Sequence, residues 1–289
     1  MFDLIYRFNP TEDKSLQAPR SAHEACRLLV QGNREFAEIA GAYRGGKNSC
    51  VIPSDPRAFG WNPAGAELPM QAPFAAILGC ADARVPPELV LSKGCNELFV
   101  VRIAGNVLGN ECLGSLRYAV SNFTSTLKVI VVLAHANCGA VTEAVNAYLD
   151  PGRYIDIASD YSVRSLEDHM LVAVRIAALG LEEIYGAEVF TKPGARAALL
   201  EVGVVLNAAW SAYCLRQEFS EKFPELGVVY GAYDLISRYV RLPLSPHDAL
   251  TEEEKGLFAP PEDAAGFHEL SRRICRGKFI RDLLLDQAA

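Results

Sequence analysis

Five residues in two short stretches carry most of the chemistry this sequence offers: Cys80, Asp82 and Arg84 in CADAR, and His135 and Cys138 in HANC. Two thiolates and an imidazole suit Zn²⁺, which takes cysteine sulfur and histidine nitrogen in a tetrahedron. Three firm protein ligands, with a fourth position open or held by a displaceable group, describe a catalytic zinc rather than a structural one. A carboxylate, Asp82, stands two residues from the first cysteine. By residue type alone the same five also fit a plainer picture. The cysteines would be buried packing residues, His135 a hydrogen-bonded core histidine and Asp82–Arg84 an ordinary ion pair. Position favours the metal, because each stretch follows directly on a run of buried-strand type.

Those runs are Phe74–Gly79, ending at Cys80, and Lys128–Ala134, ending at His135; Glu97–Arg102, with LFVV, is a third. Apolar on both faces, they read as inner strands. Helical segments at Leu113–Phe123 and Ala140–Tyr148 alternate with them, which predicts a parallel sheet with right-handed crossovers. In such sheets ligands bind at the carboxyl ends of strands, where both stretches fall. Upstream, residues 1–20 read as an irregular arm and Ser21–Ala42 as a helix, with Ser21 as N-cap and Glu24 three residues on. Residues 43–70 read as loop. Downstream come a polar insertion (Asp150–Ser162), two long helices (Leu166–Tyr185 and Ala195–Phe219), a strand (Val228–Tyr233) and its hairpin continuation (Ile236–Leu242). A tail, 243–289, is Pro-rich and then amphipathic from Ala264 to Leu285. The expected fold is α/β: a central, mostly parallel sheet of about four parallel strands plus an antiparallel edge strand, flanked by helices. It carries an N-terminal helical arm and a C-terminal extension. The expected units are 1–70 (arm and helix), 71–242 (zinc-binding core) and 243–289 (extension).

Composition sets outer bounds. Half of the 289 residues are apolar and 22% are charged, ordinary for a globular chain. A net charge of -7 argues against a nucleic-acid partner. No run approaches the ~18–20 apolar residues of a membrane span. The opening, MFDLIYRFNPTEDKS, lacks the basic and apolar regions of a secretory signal. A cytoplasmic location is expected, with an organelle or microcompartment address left open. Of the eight cysteines, Cys95 and Cys112 are expected in the core, and His169, His247 and His268 on the surface.

Order and spacing of motifs over residues 21–242 resemble the β-class carbonic anhydrases. CADARVPPELV is similar to the family's C-x-D-S-R followed by valine, and AHANCGAV to its H-x-x-C-G. LFVVRIAGN is similar to a strand leading into R-N-A-G-N, LLVQGNREF to L-x-x-G-N-x-x-F, MQAPFAAILGC to a Q-x-P lead-in, and GVVYGAYDLISRYVRL to the final strand pair. Four positions depart from the pattern: Ala83 stands for the usual Ser, Ile103 for Asn, and Ala134 and Ala136 for Gly and for Thr or Ser. At 83, 103 and 136 a polar group of the kind that tunes a metal centre is lost, which puts rate and pH dependence in question.

The resemblance implies reversible hydration of CO₂ to bicarbonate and a proton, with Zn²⁺ held by Cys80, His135 and Cys138 and a hydroxide on the metal as nucleophile. It gives Asp82 two parts. Paired with Arg84, it accepts a hydrogen bond from the zinc-bound water; released, it becomes the fourth ligand and closes the site. Two thiolates leave the zinc core neutral, so its water is acidified less than at a three-histidine site, where the pKa falls to ~7. The resemblance also implies Gln71 and Gly105 as substrate-binding residues and a dimer, tetramer or larger self-assembly. Family members regulated by bicarbonate carry Trp three residues before the first cysteine; Ile77 here implies the unregulated type. Two rival functions stand beside this one: a COS or CS₂ hydrolase on the same fold, and a non-catalytic structural homologue.

Overall fold

AAILG and VIVVLAH form strands in which every residue is buried, as inner strands of a sheet covered on both faces must be. The computed structural model of the chain describes residues 3–8, 18–42, 49–61 and 69–285. In chain order the first elements are β1 (Asp3–Arg7), α1 (Ala22–Ala42), β2 (Ser49–Pro53) and β3 (Ala75–Gly79). Next come α2 (Pro87–Val90), β4 (Leu98–Arg102), α3 (Asn110–Asn122), β5 (Val129–His135) and α4 (Gly139–Leu149). Then follow α5 (Pro151–Ala158), α6 (Tyr161–Tyr185), α7 (Ala195–Phe219), β6 (Gly227–Tyr233), β7 (Val240–Arg241), α8 (Ala264–Cys275) and α9 (Lys278–Leu285).

The main sheet has the order β4-β3-β5-β6-β7. The first four strands are mutually parallel and β7 is antiparallel to β6, so the α/β fold is as expected. Strand alternation divides the core. Ala76, Leu78, Ile130 and Val132 join Val174 of α6 and Val202 and Leu206 of α7 on one face. Ala75, Ile77, Val129 and Val131 join Ala25 and Leu29 of α1 on the other. Helix α7 is long and apolar enough to cross a membrane by length and composition, yet most of it is buried inside the protein as the central core helix. The GN of LLVQGNREF has a structural purpose. A Cβ on Gly32 would lie 2.0 Å from the Leu91 carbonyl oxygen, so only glycine lets α1 approach α2 there. The Asn33 amide donates to the carbonyls of Val90 and Arg238 and accepts from Val240 N–H at 2.7 Å, tying α1 to the sheet edge.

Several segments differ from expectation. The arm contains β1, which pairs in parallel with β2 of the expected 43–70 loop, Asp3 opposite Ser49 through Arg7 opposite Pro53. Each strand is five residues long and set among Gly, Pro and Asn, so only its distant partner makes it a strand. Residues 1–2, 9–17, 43–48 and 62–68, also covered by those expectations, lie outside the described residues. The polar insertion is mostly helical. Asp150 caps α5 through Gly152 N–H and Asp160 caps α6 through Ser162 and Val163 N–H. The tail helix is two helices, broken at Gly277, where a Cβ would meet the Leu244 carbonyl oxygen at 2.8 Å. Cys95 is exposed rather than in the core, because it sits in the turn before β4; Cys112 is buried.

The tail folds back on the sheet. Tyr230 of β6 exchanges backbone hydrogen bonds of 2.8 Å with Phe258, and Phe267, Ile274, Ile280 and Leu284 enter the larger core. A buried ionic cluster fastens it. Arg241 of β7 donates to Asp234 at 3.0 Å, to Glu254 at 3.4 Å and to the Ser245 carbonyl at 2.7 Å. His247, expected as a surface residue, places Nδ1 2.6 Å from Asp234, and Phe279 of α9 lies against both the imidazole and the guanidinium. Burial pushes the Asp234 carboxyl up, but the Ser237 hydroxyl, Ile236 N–H and Arg241 outweigh it and hold it below its ordinary value. Burial opposes Glu254 likewise and is outweighed by donors from Ser245 and Thr251.

With folded pKa values below the unfolded ones, both carboxylates stabilise the fold above ~pH 4 and lose that contribution as acid protonates them. Urea midpoints are therefore expected to fall between pH 5 and pH 3, and a flat profile contradicts the assignment. Arg241→Ala is expected to cost about 3–5 kcal/mol at neutral pH, because it strands two buried carboxylates; urea titration measures it.

Candidate metal centre

The register of the two inner strands makes the site. Gly79 of β3 pairs with Leu133 of β5, and β5 runs two residues further, to His135. Adjacent strands lie ~4.8 Å apart, so Cys80 leaves the end of β3 level with the end of β5. Cys80 Sγ, Cys138 Sγ and a ring nitrogen of His135 all lie within 4.8 Å of one another, and all three side chains are buried.

The first loop is held from two directions. Ala81 N–H donates to the Ile103 carbonyl, and Ile103 N–H to the Gly79 carbonyl. Arg102, the last residue of β4, donates to the Cys80 carbonyl at 3.0 Å and the Asp82 carbonyl at 2.5 Å. The Asp82 carboxylate accepts Arg84 N–H and Nε–H on one oxygen, both at 2.9 Å, and a terminal guanidinium N–H on the other at 2.6 Å. This bidentate pair holds Asp82 Oδ2 3.7 Å from His135 Nε2. The pair, led by the Arg84 side chain, keeps the Asp82 carboxyl well below the usual carboxylate range.

In the second loop, His135 Nδ1 lies 2.9 Å from the Ala136 carbonyl, which can only accept, so Nδ1 carries the proton and Nε2 a lone pair. Nε2 is buried and has no hydrogen-bond partner. Ala136 N–H donates to Tyr233 of β6 at 2.9 Å, Asn137 turns left-handed at φ 53°, and Cys138 caps α4. The two sulfurs are 3.8 Å apart. Hydrogen bonding from Cys138, aided by His135, lowers Cys80 against burial, whereas the same bond and burial raise Cys138. Left to themselves they share one proton; a divalent cation lets both ionise. An orphaned imidazole nitrogen beside two converging sulfurs, with the Arg84-paired carboxylate of Asp82 nearby, is a donor set that fits zinc.

Of the residues expected to serve the site, the structure brings together Cys80, Asp82, Arg84, His135 and Cys138. Gly105 lies in the turn after β4 at φ 65°, where its Cβ would meet Met170 Sδ at 2.5 Å; its carbonyl accepts from Asn207 at 2.7 Å. It needs to be glycine for that turn and for α6 to pack close. Gln71 is exposed and precedes the amino end of β3, while Cys80 follows its carboxyl end. Five strand residues, roughly 17 Å, separate the two ends, so Gln71 does not join the centre of its own chain. Sequence reasoning passed over two residues. Arg102 was visible as a charge closing an apolar strand. Glu201 of α7, whose carboxylate accepts Asn137 N–H at 3.3 Å, was visible as an acid inside an apolar run. Burial pushes its carboxyl up to about 7.

A family model described as carbonic anhydrase matches residues 75–170. Carbonic anhydrase 1 of Escherichia coli O157:H7 is 34% identical over 158 residues, covering 47% of this chain and 68% of that protein. Carbonic anhydrase 2 of Mycobacterium tuberculosis is 46% identical over 88 residues, covering 29% of this chain and 42% of that protein. Among solved structures, the β-carbonic anhydrase CcaA gives a TM-score of 0.48 at 20% identity, covering 60% of this chain and 80% of that one. The chain belongs to the β-class carbonic anhydrase family. It spans about two fifths of the length of its more similar curated relatives, 42% for the mycobacterial enzyme.

Because Arg102 fixes two carbonyls of the loop that carries Cys80, Arg102→Leu is expected to weaken zinc binding about 10- to 100-fold. Competition with a chromophoric chelator measures it, and unchanged affinity removes Arg102 from the centre.

Proposed function

We propose that this chain catalyses the reversible hydration of CO₂ to bicarbonate and a proton. The observation that carries the proposal is the buried Cys80–His135–Cys138 group with a carboxylate held 3.7 Å from the orphaned imidazole nitrogen by its own arginine. Zinc bound there supplies Lewis acidity, which lowers the pKa of a water and makes it a nucleophile at neutral pH. Everything else is done by the chain. Cys80 and Cys138 supply two thiolates, and the Ala136 carbonyl keeps the His135 lone pair aimed inward. The Asp82 carboxylate, ionised and bound to Arg84, accepts a proton-bearing O–H in the space it faces and orients that water toward CO₂.

Arg84, which makes three hydrogen bonds to the carboxylate, keeps Asp82 off the ligand group; released, Asp82 is close enough to take a fourth position itself and close the site. The Asp82–Arg84 pair supports the open reading of the site. Burial around Cys80 and Cys138 excludes bulk water from the ligands, which strengthens every charge interaction there. Gln71, at the far end of β3, reaches a substrate only if two copies of the chain set it against each other's site, and the proposal includes such self-association.

Zinc content and stopped-flow CO₂ hydration on the purified chain, with COS and CS₂ assayed in parallel, test this. Stoichiometric zinc with CO₂ hydration is expected; turnover of COS or CS₂ alone moves the assignment to hydrolysis, and zinc with no turnover makes the chain a structural homologue. Arg84→Ala is expected to retain zinc and lose most of the activity, about 100-fold or more for a positioned acid–base group. Full activity in that variant overturns the part given to Asp82–Arg84.

A further inference from the structure

Helix α7 carries a carboxylate where its surroundings call for a hydrocarbon. Glu201 stands among Leu199, Leu200, Val202, Val204 and Val205, all buried, and is itself 9% exposed. Among the described residues it enters no ion pair at all. Burying a carboxyl with a single hydrogen bond costs stability that a leucine of similar size would not. The bond it does make is to Asn137, the residue between two metal ligands.

Asn137 is the pivot of that loop. Its left-handed backbone, φ 53°, turns the chain so that His135, still on β5, and Cys138, already capping α4, face the same point. A left-handed conformation is unfavourable for a residue with a side chain and needs support. Two backbone donors anchor the turn: Ala136 N–H on the Tyr233 carbonyl, and Asn137 N–H on the Glu201 carboxylate. Behind them lies a cavity of about 50 Å³, lined also by Asp234, Arg241, His247 and Phe279. Without the carboxylate, Asn137 N–H would face that cavity unpaired.

We propose that Glu201 is a positioning residue for the metal centre, holding the left-handed Asn137 turn that sets the spacing of His135 and Cys138. The inference rests on the proposed function only in that these residues hold a metal, not on what is hydrated. Its chemistry is acceptance of one backbone hydrogen bond. An amide oxygen can do this, so glutamine substitutes for Glu201 and an apolar side chain does not.

The test uses zinc and cobalt(II) on the full chain, with wild type, Glu201→Gln, Glu201→Leu and Glu201→Leu combined with Asn137→Gly. Zinc affinity is read by chelator competition and ligand geometry by the cobalt–thiolate absorption. Glu201→Gln is expected within about 3-fold of wild type with the same cobalt spectrum. Glu201→Leu is expected to bind zinc about 10- to 100-fold more weakly with an altered spectrum, while its urea midpoint does not fall. Asn137→Gly is expected to restore most of the lost affinity, because glycine takes the left-handed turn without support. If Glu201→Leu does not fold, the unbranched Glu201→Met replaces it with the same expectations. An apolar variant with wild-type affinity and spectrum overturns the inference and leaves the proposed function standing. So does a Glu201→Gln variant as defective as the apolar one. A wild-type chain that binds neither metal overturns both.

Discussion

Gly79 pairs with Leu133, and the ladder between β3 and β5 stops there. The position of the centre follows from that stopping point. Both strands are buried on both faces, so a slip of one residue would turn every side chain of β3 to the wrong side of the sheet and carry Cys80 away from His135. The packing energy of two whole strands thus enforces the meeting of three small side chains. The ligand loops store little of this themselves. They inherit it, and use their own hydrogen bonds only for the final adjustment: Arg102 on one loop, Tyr233 and Glu201 on the other.

Charge is handled differently at the two polar places in the fold. Around Cys80 and Cys138 the negative charge is left uncompensated within the chain apart from Arg84, which is what a cation site requires. At Arg241 the ledger is closed internally, with Asp234, Glu254, the Ser245 carbonyl and the Phe279 ring all turned on one guanidinium. The first arrangement awaits a metal; the second holds a tail to a sheet. They share a wall, the small cavity between Asn137 and His247.

The inner strands and ligands were legible because their signals are local and strong. Unbroken apolar runs read as buried strands, and each ligand stretch begins where a run ends. Asp82 and Arg84 are two residues apart, so their pair was legible too. What was hidden depends on partners far along the chain. β1 and β2 have nothing strand-like about them until they are side by side. His247 reads as a surface histidine until Asp234 and Phe279 are brought to it. α5 is short and mixed in composition, so its one local signal is the Asp150–Pro151 start.

The tail supplies Phe279 to the cavity behind Asn137, roughly 140 residues after Cys138 in the chain. During synthesis at ~5–20 residues per second, the three ligands leave the ribosome on the order of ten seconds before that wall exists. When the ligands emerge, the side chain that closes the rear of the second loop has not yet been made. Closing that wall falls to α9, a helix made well after every ligand.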